Sequence, residues 1–297
     1  MTLLGMYDLD RFSVYVGAHS DPKFQEVTAR HEYVHQFLTI KTTYGRLLRE
    51  AKTSADQSGL VTDRNLLTIL VSRCRNVQES AATFDSLNLY GREGMLSSFP
   101  PAYVKHYQTM LAIVSPHFSG RVARSALSFT VARCAMLSSV KRLTEYQNRY
   151  REDSTAIYVV PKDEAPDDRF SVLEGLMNNL DPGMLRAHLS RGWIPKDMVA
   201  EFICTDNPEA FARTVERISV QEAATDALCR ILCETFDEEL PGLEDALATS
   251  SVMSALDEAT TFSQHGQTGG RVTRLTRLRL AAQERVLLSN APSRESR

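Results

Sequence analysis

Apolar residues recur at three- and four-residue spacing along most of the chain, the pattern of helices that each bury one face. Phe24, Val27, His31, Val34, His35 and Leu38 form the first such stripe. Ser20-Asp21-Pro22 precedes it, a capping side chain followed by a Pro whose missing N–H is harmless in a first turn. The spacing predicts one long helix ending somewhere between Tyr44 and Ala55. Gly59 interrupts, and Thr62-Asp63 can cap a second helix through about Leu89, with Leu66, Leu67, Leu70, Cys74, Val77, Ala81 and Phe84 on its apolar side. After a loop holding Gly91, Gly94 and Pro100-Pro101, helices are predicted near 103–114 and 120–147. Two segments, 11–17 and 154–160, read as strands from their β-branched and aromatic content, the second closed by Pro161 and the acidic run Asp163 to Asp168. From Val172 the pattern is helical, with breaks near Pro182, Trp193-Ile194-Pro195, Asn207-Pro208 and Pro241-Gly242. Arg-Phe-Ser-Val occurs at 11–14 and again at 169–172 without flanking similarity, a coincidence rather than a repeat.

The fold class this implies is mainly α with a small β element. A core is expected over residues 1–150, a helical extension packed on it over 151–262, and a basic C-terminal helix or tail over 263–297. In that tail seven Arg, from Arg271 to Arg297, face only Glu284 and Glu295, so it suits a protein partner or simply a solvated terminal helix.

Composition narrows the class further. At 297 residues, 43% hydrophobic and 24% charged, the chain is long enough for a sizeable core and too ordinary for disorder or a rod. A net charge of −3 gives no reason to expect nucleic acid. The apolar run at Leu66 to Val71 is far short of the roughly 20 residues of a membrane span. Asp8 and Asp10 stand where a secretory leader would be basic and then apolar, and five Cys do not make a disulfide framework. A reducing, cytoplasmic setting is expected. Cys229 and Cys233, four apart on a helix with no second Cys or His pair nearby in sequence, read as buried small hydrophobes.

One segment carries chemistry: His31-Glu32-Tyr33-Val34-His35. Two His four apart project from successive turns of one helix face, so both imidazoles can reach a single ion. Glu32 is displaced by about 100° round the helix. It can therefore miss the ion and sit beside a water held there, the arrangement a catalytic zinc needs. With 7 His and 20 Glu, the pattern arises by chance about 0.01 times in such a chain. Both His also fall on the core-facing stripe, where unliganded imidazoles are costly to bury.

The third ligand comes from elsewhere. A metzincin would carry Gly at 38 and His at 41, where this chain has Leu38 and Lys41. Glu50 lies 15 residues past His35, about 22 Å along a continuous helix and out of reach. Glu79 is the better candidate, on a seam of Ser72, Asn76, Glu79, Thr83 and Ser86 along the second helix. Such a seam ordinarily marks the solvent side, so Glu79 taken alone reads equally as surface. Glu93 in the Gly-rich loop is the fallback. For an oxyanion donor the candidates are Tyr103, His106 and Tyr107, with His117, His19 and Tyr44 behind them, although aromatic residues at such spacing ordinarily pack a core. His188 and His265 have no evident partners.

His31 to Leu38, followed by Thr42-Thr43-Tyr44-Gly45 and by Glu79-Ser80-Ala81-Ala82, resembles the gluzincin zinc metallopeptidases over roughly residues 10–90. The pattern departs from the thermolysin subgroup at Thr83, where that subgroup has Asp. The resemblance implies a zincin-like active-site helix pair elaborated by additional helices, with Zn²⁺ on His31, His35 and Glu79. It implies hydrolysis of a peptide or protein substrate through a water activated by Glu32. The same zinc unit can hydrolyse other amides. The alternative is a helical interaction or regulatory module, docking through its C-terminal half, whose motif is inactive or accidental.

Overall fold

The computed structural model describes residues 5–8, 13–16, 21–153, 160–190, 196–208 and 215–251. The chain is mainly α. An antiparallel hairpin of β1 (Gly5–Asp8) and β2 (Ser13–Val16) opens it, with Gly5 opposite Val16 and Asp8 opposite Ser13. Helix α1 (Pro22–Ile40) starts as its sequence requires, with the Asp21 carboxylate accepting from the Lys23 N–H at 2.9 Å. The strand expected at 154–160, apart from its last residue, lies outside the described residues. So do the tail at 263–297, His19 and His265.

Three helices expected to be continuous are each divided, and in every case a side chain takes over the backbone groups. The first ends at Ile40, and α2 (Thr43–Ser58) begins after it. Thr42 Oγ1 donates back to the Leu38 carbonyl at 2.6 Å and accepts from the Gly45 N–H at 3.0 Å, closing one helix and capping the next. The corner is tight: a Cβ on Gly45 would lie 2.5 Å from Thr39 Cα, so only Gly fits. The second expected helix splits into α3 (Val61–Ser72) and α4 (Arg75–Tyr90). Here the cap is remote, since the Asp167 carboxylate accepts from the Asn76 and Val77 N–H groups at 3.1 and 2.9 Å. After α5 (Pro101–Val114), the third splits into α6 (Arg121–Ala135) and α7 (Val140–Glu152). Thr43 and Ser138 exchange hydrogen bonds there, and the buried Glu164 accepts from the Ser139 N–H at 2.7 Å. Replacing Asp167 by Ala removes the α4 cap, so Asp167→Ala should lower stability by about 1–2 kcal/mol, read as a melting temperature several degrees lower by circular dichroism.

The second half adds α8 (Pro166–Asn179), α9 (Pro182–Leu189), α10 (Lys196–Cys204) and α11 (Val215–Phe236), then a helical segment over 243–251. One apolar core runs from Val27 to Ala246 and includes residues from both halves. Its centre is α6, where Val122, Ala123 and every residue from Ser125 to Ala135 are buried. A helix buried all round needs small residues to admit its neighbours, and α6 supplies Ala123, Ser125, Ala126, Ser128, Ala132 and Cys134.

Helices α1 and α4 lie side by side and antiparallel: Glu26 meets Arg92, Arg30 meets Asp85, and His35 meets Gln78. Asp85 is fully buried and accepts from Arg30 Nε at 2.5 Å and from Ser125 Oγ, tying α1, α4 and α6 together. The Arg30 guanidinium is also flanked by the Tyr33 and Phe129 rings, 5.0 and 5.2 Å from their centroids. No described helix is long and apolar enough to cross a membrane.

Candidate metal centre

The pairing of α1 with α4 brings His31, His35 and Glu79 together. His31 Nε2 lies 3.2 Å from His35 Nε2 and 3.4 Å from Glu79 Oε2, and His35 Nε2 lies 3.9 Å from Glu79 Oε1. Nitrogen and oxygen donors about 2.0–2.1 Å from one tetrahedral ion stand about 3.3–3.4 Å apart. Two of the three separations are already near that value. The polar seam on α4 does not face solvent throughout, as expected from the sequence. Ser72 falls on α3 instead, and along α4 the seam is exposed at Asn76 and buried at Thr83 and Ser86, because α4 is wedged between α1, α5 and α6. Glu79 sits where the seam turns inward, its side chain 22% exposed.

Two further observations suit a cation. Glu79 Oε2 is buried and its nearest donor is His31 Nε2 at a long 3.4 Å, a weakly met carboxylate oxygen that a cation between the two would satisfy better. Burial pushes the Glu79 carboxyl up, yet the imidazoles of His31 and His35 outweigh it and hold the group at about 2. His35 is also oriented. Its Nδ1–H donates to Gln78 Oε1 at 3.1 Å, which leaves Nε2 unprotonated in the neutral ring and aimed at His31 and Glu79. Burial, reinforced by His31, pulls the His35 imidazole down to about 4, so it is neutral at pH 7. Neutral imidazoles with one carboxylate are the donor set of a catalytic zinc with an open fourth position. No family model, characterised protein or solved structure matches the chain.

The surrounding residues divide clearly. Tyr103 on α5 has its ring 6.1 Å from that of His31, and burial raises its hydroxyl, helped by the Glu79 and Glu32 carboxylates. Glu32 and Tyr103 therefore share the neighbourhood of the three donors. His106 shares a 3.1 Å hydrogen bond with Ser80 through Nδ1. Phe24, Phe99 and Tyr103 continue the wall, with ring centroids 6.4 and 6.0 Å apart in turn.

The other candidates are elsewhere. Tyr107 packs on Phe84 in the core, and Tyr44 donates to the Leu70 carbonyl at 2.9 Å. His117 Nε2 donates to the Met177 carbonyl at 3.2 Å, and His188 Nδ1 to that of Met184 at 3.0 Å. Glu93, the fallback ligand, pairs with Arg121 at 2.7 Å, and Glu50 pairs with Arg46 at 2.9 Å. Sequence reasoning missed Gln78, whose only signal is its place beside Glu79. It also missed Cys134, whose sulfur joins those of Cys229 and Cys233. The two latter cysteines are buried as expected, but they are not without a thiol partner.

Proposed function

We propose that this chain is a zinc-dependent metallopeptidase of gluzincin type, in which His31, His35 and Glu79 hold the ion and Glu32 is the general base. The convergence of two imidazole nitrogens and one largely buried carboxylate, their donor atoms all within 4.8 Å of one another, carries the reading. Zinc bound there supplies a Lewis acid that polarises a carbonyl and lowers the pKa of a water towards roughly 7.

The chain's own residues do the rest. Glu32 accepts a proton from the attacking water on its carboxylate and delivers it to the nitrogen of the departing amine. Tyr103, kept protonated by burial and its two acidic neighbours, donates a hydrogen bond to the oxygen on which charge develops. Gln78 holds the His35 ring in one tautomer and one orientation. Phe24, Phe99 and Tyr103 offer an apolar wall against which a substrate side chain can exclude water.

The deciding experiment pairs metal analysis of the purified full chain with mass-spectrometric readout of a peptide library, before and after a chelator. About one zinc per chain, with cleavage lost on chelation and regained on adding Zn²⁺, is the expected result. A chain that binds no zinc under these conditions rejects the proposal. Gln78→Leu should weaken zinc binding about 10–100-fold, measured by competition with a chromophoric chelator, because His35 loses the partner that fixes its ring.

A further inference from the structure

A second group of ligand-type side chains lies where α6 packs against α11. Cys134, Cys229 and Cys233 are all fully buried. Cys134 Sγ is 3.8 Å from Cys229 Sγ and 3.9 Å from Cys233 Sγ, and all three sulfurs lie within 4.8 Å of one another. Cys229 and Cys233 come from successive turns of one helix face, and Cys134 is brought across from a distant part of the chain. Sulfurs held about 2.3 Å from a shared ion stand about 3.8 Å apart in a tetrahedral site and about 4.0 Å apart in a trigonal one. The two shorter separations already match.

The contacts among the three sulfurs and their burial push the Cys134 and Cys233 thiols up and pull only Cys229 down, and two guanidiniums stand beside the group. Arg133, next to Cys134, has a buried Nε without a hydrogen-bond partner, although its Nη1 donates to Asp226 at 2.8 Å. Arg169 on α8 is 1% exposed and donates through Nη1 to the Asp163 carbonyl at 3.0 Å, while its Nε and Nη2 are buried without partners. Both guanidiniums lie within electrostatic reach of the cysteine sulfurs. Arg133 is paired with Asp226 and Arg169 faces the Glu164 and Asp163 carboxylates, so the charges are met, but their unmet N–H groups lie buried beside the sulfurs, where metal-held thiolates would accept from them.

We propose that Cys134, Cys229 and Cys233 form a three-thiolate site for a soft d¹⁰ metal ion, monovalent copper first among them. Soft thiolate donors select copper(I) and zinc. A zinc ion on three sulfurs needs a fourth ligand, and no fourth His, Cys, Asp or Glu joins the group among the described residues. Copper(I) is complete with three sulfurs. On binding, three S–Cu bonds form and every proton still on the sulfurs passes to solvent as its S–H bond breaks, with no change of oxidation state. Loading therefore weakens as pH falls. Because the sulfurs are buried, the ion enters during folding or by slow opening of α6 from α11.

The test uses the full chain, reduced and kept under argon, produced in copper-supplemented cells and then equilibrated with a copper(I)–bicinchoninate complex. One copper per chain is expected, still present in His31→Ala/His35→Ala, with only sulfur scatterers in the first shell by X-ray absorption. Cys134→Ala, Cys229→Ala and Cys233→Ala should each lose it. Cys74→Ala, which removes a buried thiol outside the cluster, should keep it. The absorption spectrum of the parent protein decides the matter if a cysteine variant fails to fold. A nitrogen-containing shell, or copper retained in a folded Cys229→Ala, overturns the site. Zinc held in preference, with a light fourth scatterer, overturns the choice of ion.

Discussion

Glu32→Gln is expected to retain its zinc while losing hydrolysis by about 10²–10⁴-fold. Gln has nearly the shape of Glu and a similar helix propensity, so α1 and the three ligands keep their places. It has no basic oxygen to take a proton from water and none to return to the leaving amine. The change therefore removes the proton path and leaves the metal untouched. Cleavage of the best library peptide, followed by mass spectrometry in a sample whose zinc is measured in parallel, separates the two quantities. Parental cleavage in the variant would reject Glu32 as the base.

His35→Ala is expected to fail one step earlier. Four-ligand structural zinc sites bind with roughly 10–16 kcal/mol, so each ligand is worth about 3 kcal/mol and its removal weakens binding by about 10². The substitution also deprives Gln78 Oε1 of the N–H it accepts from. After dialysis against a weak chelator the variant should contain almost no zinc while the parent keeps about one equivalent. Circular dichroism should still show a helical protein, because Val34 and Leu38 rather than His35 hold that part of α1 in the core. Full zinc occupancy in the variant would remove this residue from the centre.

What could be read from the sequence was local. Asp21-Pro22 announces the start of α1, Gly59 and Gly91 adopt the left-handed conformation that ends α2 and α4, and the His31–His35 spacing places two imidazoles on one side of one helix. What could not be read depends on partners far along the chain. The break between α3 and α4 is made by Asp167, and the one between α6 and α7 by Thr43 and Glu164. No periodicity reports a cap supplied from about 90 residues away. The same reason hid the third sulfur, because Cys134 meets Cys229 only once α6 lies on α11. Glu79 was readable as a candidate but not as buried or exposed, since the seam that carries it changes environment along its own length.

Arg30 stands immediately before His31, and Asp85 lies six residues beyond Glu79. Their ion pair, closed on its other side by Ser125, sets the sliding register of the two ligand-bearing helices without any help from the centre itself. A zinc finger collapses when stripped because the ion is its only staple. Here the scaffold carries its own staple, so under the proposed function the cradle would outlast its occupant: one ion could depart and another take its place with the polypeptide standing still.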